Sequence, residues 1–210
     1  MSSRLVHFRI LLITDGFDAR TTARVDAALA ALPAGAAAVQ LRAKTLAGRA
    51  LLAAAVELAA VVHARGGLLL VNDRADVAVA AGTDGVHLPA RGLPPAVARQ
   101  LVGGARLVGV STHTADEAAA ACANGADYVT FGPAFATPGK GAPVGLATLA
   151  TVARASSRPL FALGGVNERS AQKVVDAGAR VACIGAVLGR DDAAAGARAL
   201  WAAIGQPSRP

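Results

Sequence analysis

Aromatic residues are scarce in this sequence: only 3% of the 210 residues are aromatic, with a single Trp and a single Tyr. Proteins that bind single-stranded nucleic acids stack bases on aromatic rings and gather basic residues on one face. Here the arginines that account for most of the basic residues are scattered, and the net charge is +7. We therefore expect no nucleic-acid partner. The positive charge suits an anionic small molecule, although a solvated surface would also explain it.

The sequence has only two cysteines and no long apolar run, and so lacks the features of disulfide-rich, metal-binding and membrane proteins. Cys122 and Cys183 stand alone in apolar segments, where cysteine behaves as a small core residue, so we expect neither a disulfide nor a cysteine metal site. No apolar stretch reaches the roughly 20 residues that cross a bilayer. The first residues carry no signal-peptide pattern. We expect a cytoplasmic protein without a membrane partner.

Small apolar residues are abundant, and 54% of the chain is hydrophobic. This composition excludes intrinsic disorder and allows one sizeable core. Short β-branched runs alternate with longer Ala-rich segments of helical period. The strand candidates are Ile10–Thr14, Ala38–Arg42, Leu68–Asn72, Gly85–Leu88, Leu107–Val110, Tyr128–Gly132, Leu160–Gly164 and Val181–Gly185. The helix candidates are Thr22–Leu32, Ala47–Arg65, Val77–Ala81, Pro94–Leu101, Ala115–Asn124, Leu146–Ala155, Glu168–Ala177 and Ala193–Ile204.

Eight alternating strand and helix pairs predict an α/β fold, a single (β/α)8 TIM barrel. We expect one domain over 1–210, with the ordered barrel at about 10–205 and short polar termini. A doubly wound open sheet is the alternative, but the chain has no early Gly-x-Gly-x-x-Gly turn. In a TIM barrel the active site lies at the carboxyl ends of the strands, so the residues that follow each strand are the candidates.

Two cations and an amide follow the second strand candidate. Gln40 and Arg42 share a strand face, and Lys44 joins them if the strand continues. A guanidinium fork and an ammonium group can clamp a diphosphate. A solvated strand end is the alternative.

Asn72 and Asp73 follow the buried run of the third strand. A carboxylate at this place can hold Mg²⁺ against phosphate oxygens. The pair can equally cap the next helix, and the pattern favours neither interpretation.

Glycine turns follow the last two strands, at Gly164-Gly165 and at Ile184-Gly185-Ala186. This place binds phosphate through backbone N–H groups in many TIM barrels, so we predict a phosphate cup there, with plain tight turns as the alternative.

The segment from Gly132 to Gly145 lacks periodicity and carries Thr137 and Lys140, which predicts a lid over a bound anion rather than a plain loop.

The histidines have no metal-site spacing, and no Ser-His-Asp arrangement is evident. His87 and His113 lie at strand ends, where a lone histidine is more often a hydrogen-bonded structural residue than a catalyst. The sequence predicts anion binding and no protein nucleophile.

In combination, these motifs resemble the thiamine-phosphate synthase family, which also contains thiazole tautomerases. The resemblance spans nearly the whole chain. It rests on Gln40-Leu41-Arg42-Ala43-Lys44, Asn72-Asp73-Arg74-Ala75-Asp76, Asp84-Gly85-Val86-His87-Leu88, Gly109-Val110-Ser111-Thr112-His113-Thr114, Ala126-Asp127-Tyr128-Val129, Gly132-Pro133 with Phe135 and Thr137, and Leu163-Gly164-Gly165-Val166. It implies a transferase of thiamine biosynthesis that joins hydroxymethylpyrimidine diphosphate to a thiazole phosphate, with Mg²⁺ as cofactor.

The resemblance also implies a role for each matching residue. Arg42, Lys44 and Lys140 would act on the diphosphate as the catalytic cations, and Asp73 would hold Mg²⁺. The substrate-binding residues would be Gln40, Asn72, Ser111, Thr137, Gly165, Ile184 and Gly185. The partners are then small phosphorylated substrates, and the oligomeric state stays open, a homo-oligomer included.

Some positions depart from the family pattern. Pro89-Ala90-Arg91-Gly92 stands where synthases carry a second acidic Mg²⁺ ligand, and we expect Arg91 to contact the diphosphate instead. Gly139 and Gly185 replace hydroxyl residues, and Pro133 replaces a histidine of the tautomerases. The alternatives are a tautomerase-like or diverged paralogue and a non-catalytic protein that binds thiazole or thiamine phosphates.

Overall fold

The computed structural model describes residues 6–205, in which eight parallel strands close into a barrel in sequence order. The strands are β1 (Ile10–Ile13), β2 (Ala37–Leu41), β3 (Leu68–Asn72), β4 (Gly85–Leu88), β5 (Leu107–Thr112), β6 (Tyr128–Phe131), β7 (Leu160–Ala162) and β8 (Arg180–Cys183). The helices are α1 (Thr21–Ala30), α2 (Gly48–Ala64), α3 (Ala75–Ala80), α4 (Pro95–Val102), α5 (Ala115–Ala123), α6 (Gly145–Ala155), α7 (Ala171–Asp176) and α8 (Ala193–Gly205). The expected TIM barrel is confirmed.

The predicted boundaries are wrong by several residues around β7. The strand ends at Ala162 rather than at Gly164, because Gly164 and Gly165 adopt left-handed backbone with φ of +98° and +64°. The following helix begins at Ala171 rather than at Glu168. The Asn167 side chain accepts a hydrogen bond from Arg169 N at 2.9 Å, and this turn occupies the residues expected in the first turn of the helix.

Three of the seven aromatic residues form one cluster inside the barrel. The rings of Phe8 and Phe161 stack with centroids 5.0 Å apart, and Tyr128 meets both edge-on at 5.7 and 5.4 Å. All three are fully or almost fully buried. They fit because small residues face them: a methyl group built on Gly109 would lie 2.1 Å from Cζ of Tyr128. Large rings opposite small residues fill the barrel interior at the density of a packed core.

The amino-terminal end of the barrel is closed by the segment that precedes β1. Arg180 Nη1 donates to the carbonyl oxygens of Val6 at 2.6 Å and Phe8 at 2.7 Å. Its guanidinium carbon also lies 5.8 Å from the centroid of the Phe161 ring. The half-buried arginine thus holds Phe8 in place as a plug, and open volume is left at the carboxyl ends of the strands.

Small residues let the helices lie close to the outside of the barrel. Ala28, Ala55, Ala78 and Ala98 are each fully buried on the inner faces of their helices. Cys122 and Cys183 are both buried, as expected of small core residues. Within residues 6–205, no helix combines the length and the apolarity needed to cross a membrane.

We predict that Gly109→Ala destabilises the barrel by about 1–3 kcal/mol, because its methyl group would overlap the Tyr128 ring in a packed core. Urea unfolding followed by circular dichroism measures this free energy. Gly104→Ala is the matched control, since a methyl group there meets nothing within 4 Å. Its free energy of unfolding should stay within about 0.5 kcal/mol of the wild type. Equal stability of both variants would contradict the assigned packing.

Candidate active site

A cleft of about 1090 Å³ opens at the carboxyl ends of the strands. All eleven residues to which the family resemblance assigns a role in the site line it. They are Gln40, Arg42, Lys44, Asn72, Asp73, Ser111, Thr137, Lys140, Gly165, Ile184 and Gly185. Arg91 does not line the cleft and is exposed, so the structure gives no support to its predicted contact with a diphosphate. Pro89 and Ala90 form the wall at that place.

The floor of the cleft carries two amide side chains. Gln40 Nε2 donates to Asn72 Oδ1 at 2.9 Å, which fixes the orientation of both groups. Gln40 is 2% exposed, and its Oε1 has no hydrogen-bond partner among the described residues. An unpaired buried carbonyl oxygen is costly, so this atom is a ready acceptor for an N–H donor of a ligand.

Ser111 is held from below by a chain of two buried groups. His87 Nε2 lies 2.9 Å from Ser111 Oγ, and His87 Nδ1 lies 2.8 Å from the Tyr128 hydroxyl. Burial lowers the pKa of His87 to about 3, so the imidazole is neutral at pH 7. Burial, with the nearby charge of Asp127, raises the pKa of Tyr128 well above its usual value, so its hydroxyl stays protonated.

The hydrogen bonds that link Tyr128, His87 and Ser111 can direct a proton donor into the cleft. When the Tyr128 hydroxyl donates to Nδ1, the neutral imidazole carries its hydrogen on Nε2 and donates to Ser111. The Ser111 hydroxyl hydrogen is then available to an anion above it. Sequence reasoning predicted His87 to be a hydrogen-bonded structural residue but missed its contact with Ser111. The inward alternation of Gly85 and His87 along β4 was the available signal.

The cationic rim lies beyond the end of β2. This strand stops at Leu41, so Arg42 and Lys44 reach the cleft from the following loop and not from a continued strand. Arg42 N donates to Thr14 Oγ1 at 2.9 Å, which ties the loop to the end of β1. The Arg42 guanidinium pairs with Asp15 at 2.9 Å. This pair holds the guanidinium at the cleft wall with a carboxylate that is itself largely exposed.

Asp73 has left-handed backbone, with φ of +64°, and is the only non-glycine residue with positive φ among residues 6–205. Its N–H donates to the His87 carbonyl oxygen at 2.9 Å. Neither Asp73 nor Asn72 caps the next helix, because Arg74 occupies the N-cap position and no side chain caps α3. The helix-cap interpretation is therefore wrong. Backbone strain of this kind tends to persist where function requires it.

The glycine turn after β7 supports the start of the predicted lid. Ala134 N donates to the Leu163 carbonyl oxygen at 2.8 Å, and Phe135 N donates to that of Gly164 at 3.0 Å. A methyl group on Gly165 would lie 2.8 Å from the Ala136 carbonyl oxygen. Only glycine allows these two backbones to approach so closely. The turn at Gly165 is therefore tight and the backbone at Gly185 is open, and the phosphate cup at these two turns stays a prediction.

The predicted lid leaves the barrel as an exposed loop. Lys140 N donates to the Thr137 carbonyl oxygen at 3.1 Å, which forms a turn around Gly139 with its φ of +71°. The loop returns when Val144 N donates to the Pro133 carbonyl oxygen at 2.9 Å. Thr137 and Lys140 thus line the cleft from one short segment. The left-handed turn accounts for glycine at position 139.

Cys183 is among the residues that line the cleft, but its buried thiol is unsuited to act as a nucleophile. Burial raises the pKa of its thiol to about 12, so the thiolate is scarcely present at neutral pH. Together with the neutral His87, this leaves a site rich in donors to anions and without an activated nucleophile.

Known proteins resemble this chain in sequence. The family model described as thiamine monophosphate synthase matches residues 10–187. The chain belongs to that family. A thiamine-phosphate synthase of Methanoculleus marisnigri is 44% identical over 197 residues, which cover 92% of this chain and 93% of the relative. One from Mycobacterium bovis is 41% identical over 96% of this chain and 97% of its own length.

A solved structure shares the fold. The structure of thiamine phosphate pyrophosphorylase from Pyrococcus furiosus has a TM-score of 0.84 to this chain, at 29% sequence identity. The alignment covers 95% of this chain and 96% of that one. The resemblance inferred from the motifs is confirmed.

In this family member, the neutral His87 makes stability depend on pH. The unfolded histidine takes up a proton near pH 6.5, whereas the folded one does so only near pH 3. The free energy of unfolding therefore falls as the pH falls below 6.5, by about 2 kcal/mol between pH 6.5 and 5. Urea unfolding at pH 7 and pH 5 should show this loss in the wild type and a smaller loss in His87→Gln.

The exposed His7 offers the matched control. His7→Gln should keep the pH dependence of the wild type. If His87→Gln kept it as well, His87 would not be the neutral buried group described above.

Proposed function

We propose that the chain is a thiamine-phosphate synthase, which condenses hydroxymethylpyrimidine diphosphate with thiazole phosphate to give thiamine phosphate and diphosphate. The observation that carries this proposal is that one cleft holds two separate sets of anion-binding groups. Arg42 and Lys44 follow β2, whereas the glycine turns follow β7 and β8. One set suits a diphosphate and the other a phosphate monoester.

The proposed reaction needs no protein nucleophile. The bond between the pyrimidine methylene carbon and the diphosphate oxygen breaks, and its electron pair leaves with the diphosphate. The thiazole nitrogen then attacks the resulting pyrimidine-stabilised cation with its lone pair. Arg42, Lys44 and Lys140 neutralise the charge that develops on the leaving group, and Ser111 donates a hydrogen bond to it. The enzyme otherwise aligns the two reactants.

The amide pair on the floor suits the pyrimidine. The unpaired Gln40 Oε1 can accept a hydrogen bond from an amino group on the ring, and Asn72 holds the glutamine in that orientation. On the other side of the cleft, Thr137, Gly165, Ile184 and Gly185 bind the thiazole phosphate. We place the reaction in the cytoplasm on the sequence pattern alone.

The donor set at Asp73 fits Mg²⁺ in part. Residues 6–205 contain no cluster of three or more His, Cys, Asp or Glu side chains that could hold a metal by themselves. Mg²⁺, however, commonly uses one or two carboxylates and completes its shell with phosphate oxygens and water. Asp73 would supply that carboxylate, and the bound ion would supply positive charge to the diphosphate. Its site is therefore formed only together with the substrate.

We expect purified protein with Mg²⁺ and both substrates to form thiamine phosphate, detected by chromatography. Arg42→Ala should lower kcat/KM by about tenfold or more, because a charge-assisted hydrogen bond to the diphosphate is lost. Arg65→Ala is the control, since Arg65 pairs with Asp26 outside the cleft and should leave the rate unchanged.

Absence of product at high enzyme concentration would overturn the synthase proposal. Isomerisation of a thiazole carboxylate phosphate would then indicate the tautomerase-like alternative. Tight binding of both substrates without turnover would indicate a binding protein. Unchanged activity of Arg42→Ala would refute the diphosphate clamp.

Asp73→Asn should raise the Mg²⁺ concentration needed for half-maximal rate by about tenfold or more, because a charged ligand to the ion is lost. Asparagine tolerates the left-handed backbone of this position, so the fold should be kept. Asp116→Asn, on the exposed first turn of α5, should not change the Mg²⁺ dependence. The same dependence in Asp73→Asn and the wild type would exclude Asp73 as the ligand.

A further inference from the structure

An ion pair that the sequence motifs did not indicate stands beside the phosphate cup. Arg190 Nη2 lies 2.8 and 2.7 Å from the two carboxylate oxygens of Glu168. Arg190 lines the cleft, next to Gly185 and Ala186 of the last turn. Glu168 belongs to the connection between β7 and α7 and does not line the cleft. The pair therefore bridges the two loops that form the cup.

Two glycines fix the place of Arg190. The turn after β8 is so tight that a methyl group on Gly189 would lie 2.9 Å from Cα of Gly185. Arg190 comes directly after this contact and is thereby held beside the cup. On α8, a methyl group on Gly196 would lie 3.0 Å from Cδ of Arg190. Because Gly196 has no side chain, the aliphatic part of the Arg190 side chain can lie against the helix.

The Arg190 guanidinium has N–H donors that Glu168 does not use. It carries five N–H groups, and only Nη2 is used by Glu168. Within residues 6–205, neither Nε nor Nη1 of Arg190 makes a hydrogen bond to the protein. The hydrogen bonds from Arg190 lower the pKa of Glu168, so both partners are charged at neutral pH.

The ion pair is also exposed enough to be exchanged. The side chains of Arg190 and Glu168 are 39% and 31% exposed. Ion pairs with this much contact with water contribute little to stability, so breaking one has a small cost. A phosphate monoester carries nearly two negative charges and three acceptor oxygens, and it competes with one carboxylate for a guanidinium fork.

We propose that Arg190 binds the phosphate monoester in the cup, and that Glu168 is its resting partner, which the phosphate displaces. The inference rests on the proposed function in one respect, the identity of that monoester as thiazole phosphate. Arg190 then selects the phosphorylated thiazole over the thiazole with a free hydroxyl. Glu168 keeps the guanidinium in position while the cup is empty.

The two partners should act in opposite directions on phosphate affinity. Arg190→Ala removes a cation and should weaken binding of the monoester by about tenfold or more. Glu168→Gln frees the guanidinium and removes a competing negative charge, so it should tighten binding severalfold. A pair that only supported the two loops would give the same loss in both variants.

Titration calorimetry with thiazole phosphate, and with the unphosphorylated thiazole alcohol, measures these affinities in wild type and variants. The alcohol should bind Arg190→Ala and the wild type alike. Arg169→Ala is the matched control, because Arg169 lies next to Glu168 in the chain but is exposed and does not line the cleft. It should keep the affinity of the wild type for both probes.

The outcomes separate this inference from the proposed function. A weaker monoester affinity in Arg190→Ala with a tighter one in Glu168→Gln supports the inference, even where no thiamine phosphate is formed. Unchanged affinity in Arg190→Ala, or a parallel loss in both variants, overturns it, even where the wild type is an active synthase. The inference is also overturned if the wild type binds neither thiazole phosphate nor inorganic phosphate.

Discussion

The contact between Tyr128 and His87 joins the packed interior of the barrel to the floor of its cleft. Below it, Phe8, Phe161 and the tyrosine ring fill the axis with apolar surface. Above it, the amide side chains of Gln40 and Asn72 and the hydroxyl of Ser111 line the cleft. The tyrosine hydroxyl needs a partner once it is buried, and the buried imidazole needs two. His87 satisfies both requirements by linking Tyr128 to Ser111, so core packing also orients a cleft hydroxyl.

Anion binding imposes a second constraint. Several cations that repel one another must be held at the cleft in the positions where they can meet an anion. The structure pairs three cleft arginines with carboxylates: Arg42 with Asp15, Arg74 with Asp76 and Arg190 with Glu168. Each pair is partly exposed, so each is weak. Weak partners hold a guanidinium in place and can be exchanged for a stronger anion at small cost. Each of these three pairs is neutral overall, so Lys44 and Lys140, which line the same cleft, supply the excess positive charge there.

Local sequence patterns predicted the fold from short-range rules, and together with the family resemblance they predicted eleven residues that line the cleft. Strands of apolar residues alternate with Ala-rich helices, and the barrel topology places the residue after each strand at the rim. Patterns could not predict which side chains meet across the barrel. The contacts of His87 with Tyr128 and Ser111, and of Arg190 with Glu168, join different loops or strands through barrel closure and tight turns. Arg91 illustrates the same limit, since it is exposed and does not line the cleft although Pro89 and Ala90 do.

The role of Asp73 could be narrowed to two alternatives from the sequence, and the backbone conformation decides between them. From sequence alone, a helix cap and a metal ligand were equally consistent with an Asn-Asp pair after a strand. The structure excludes the cap and shows a strained backbone that turns this residue away from helix geometry and toward the rim. One carboxylate beside several cations binds a divalent ion poorly, because the cations repel it. A diphosphate reverses this balance by bringing its own oxygens and negative charge, so metal and substrate should enter the proposed site as one unit.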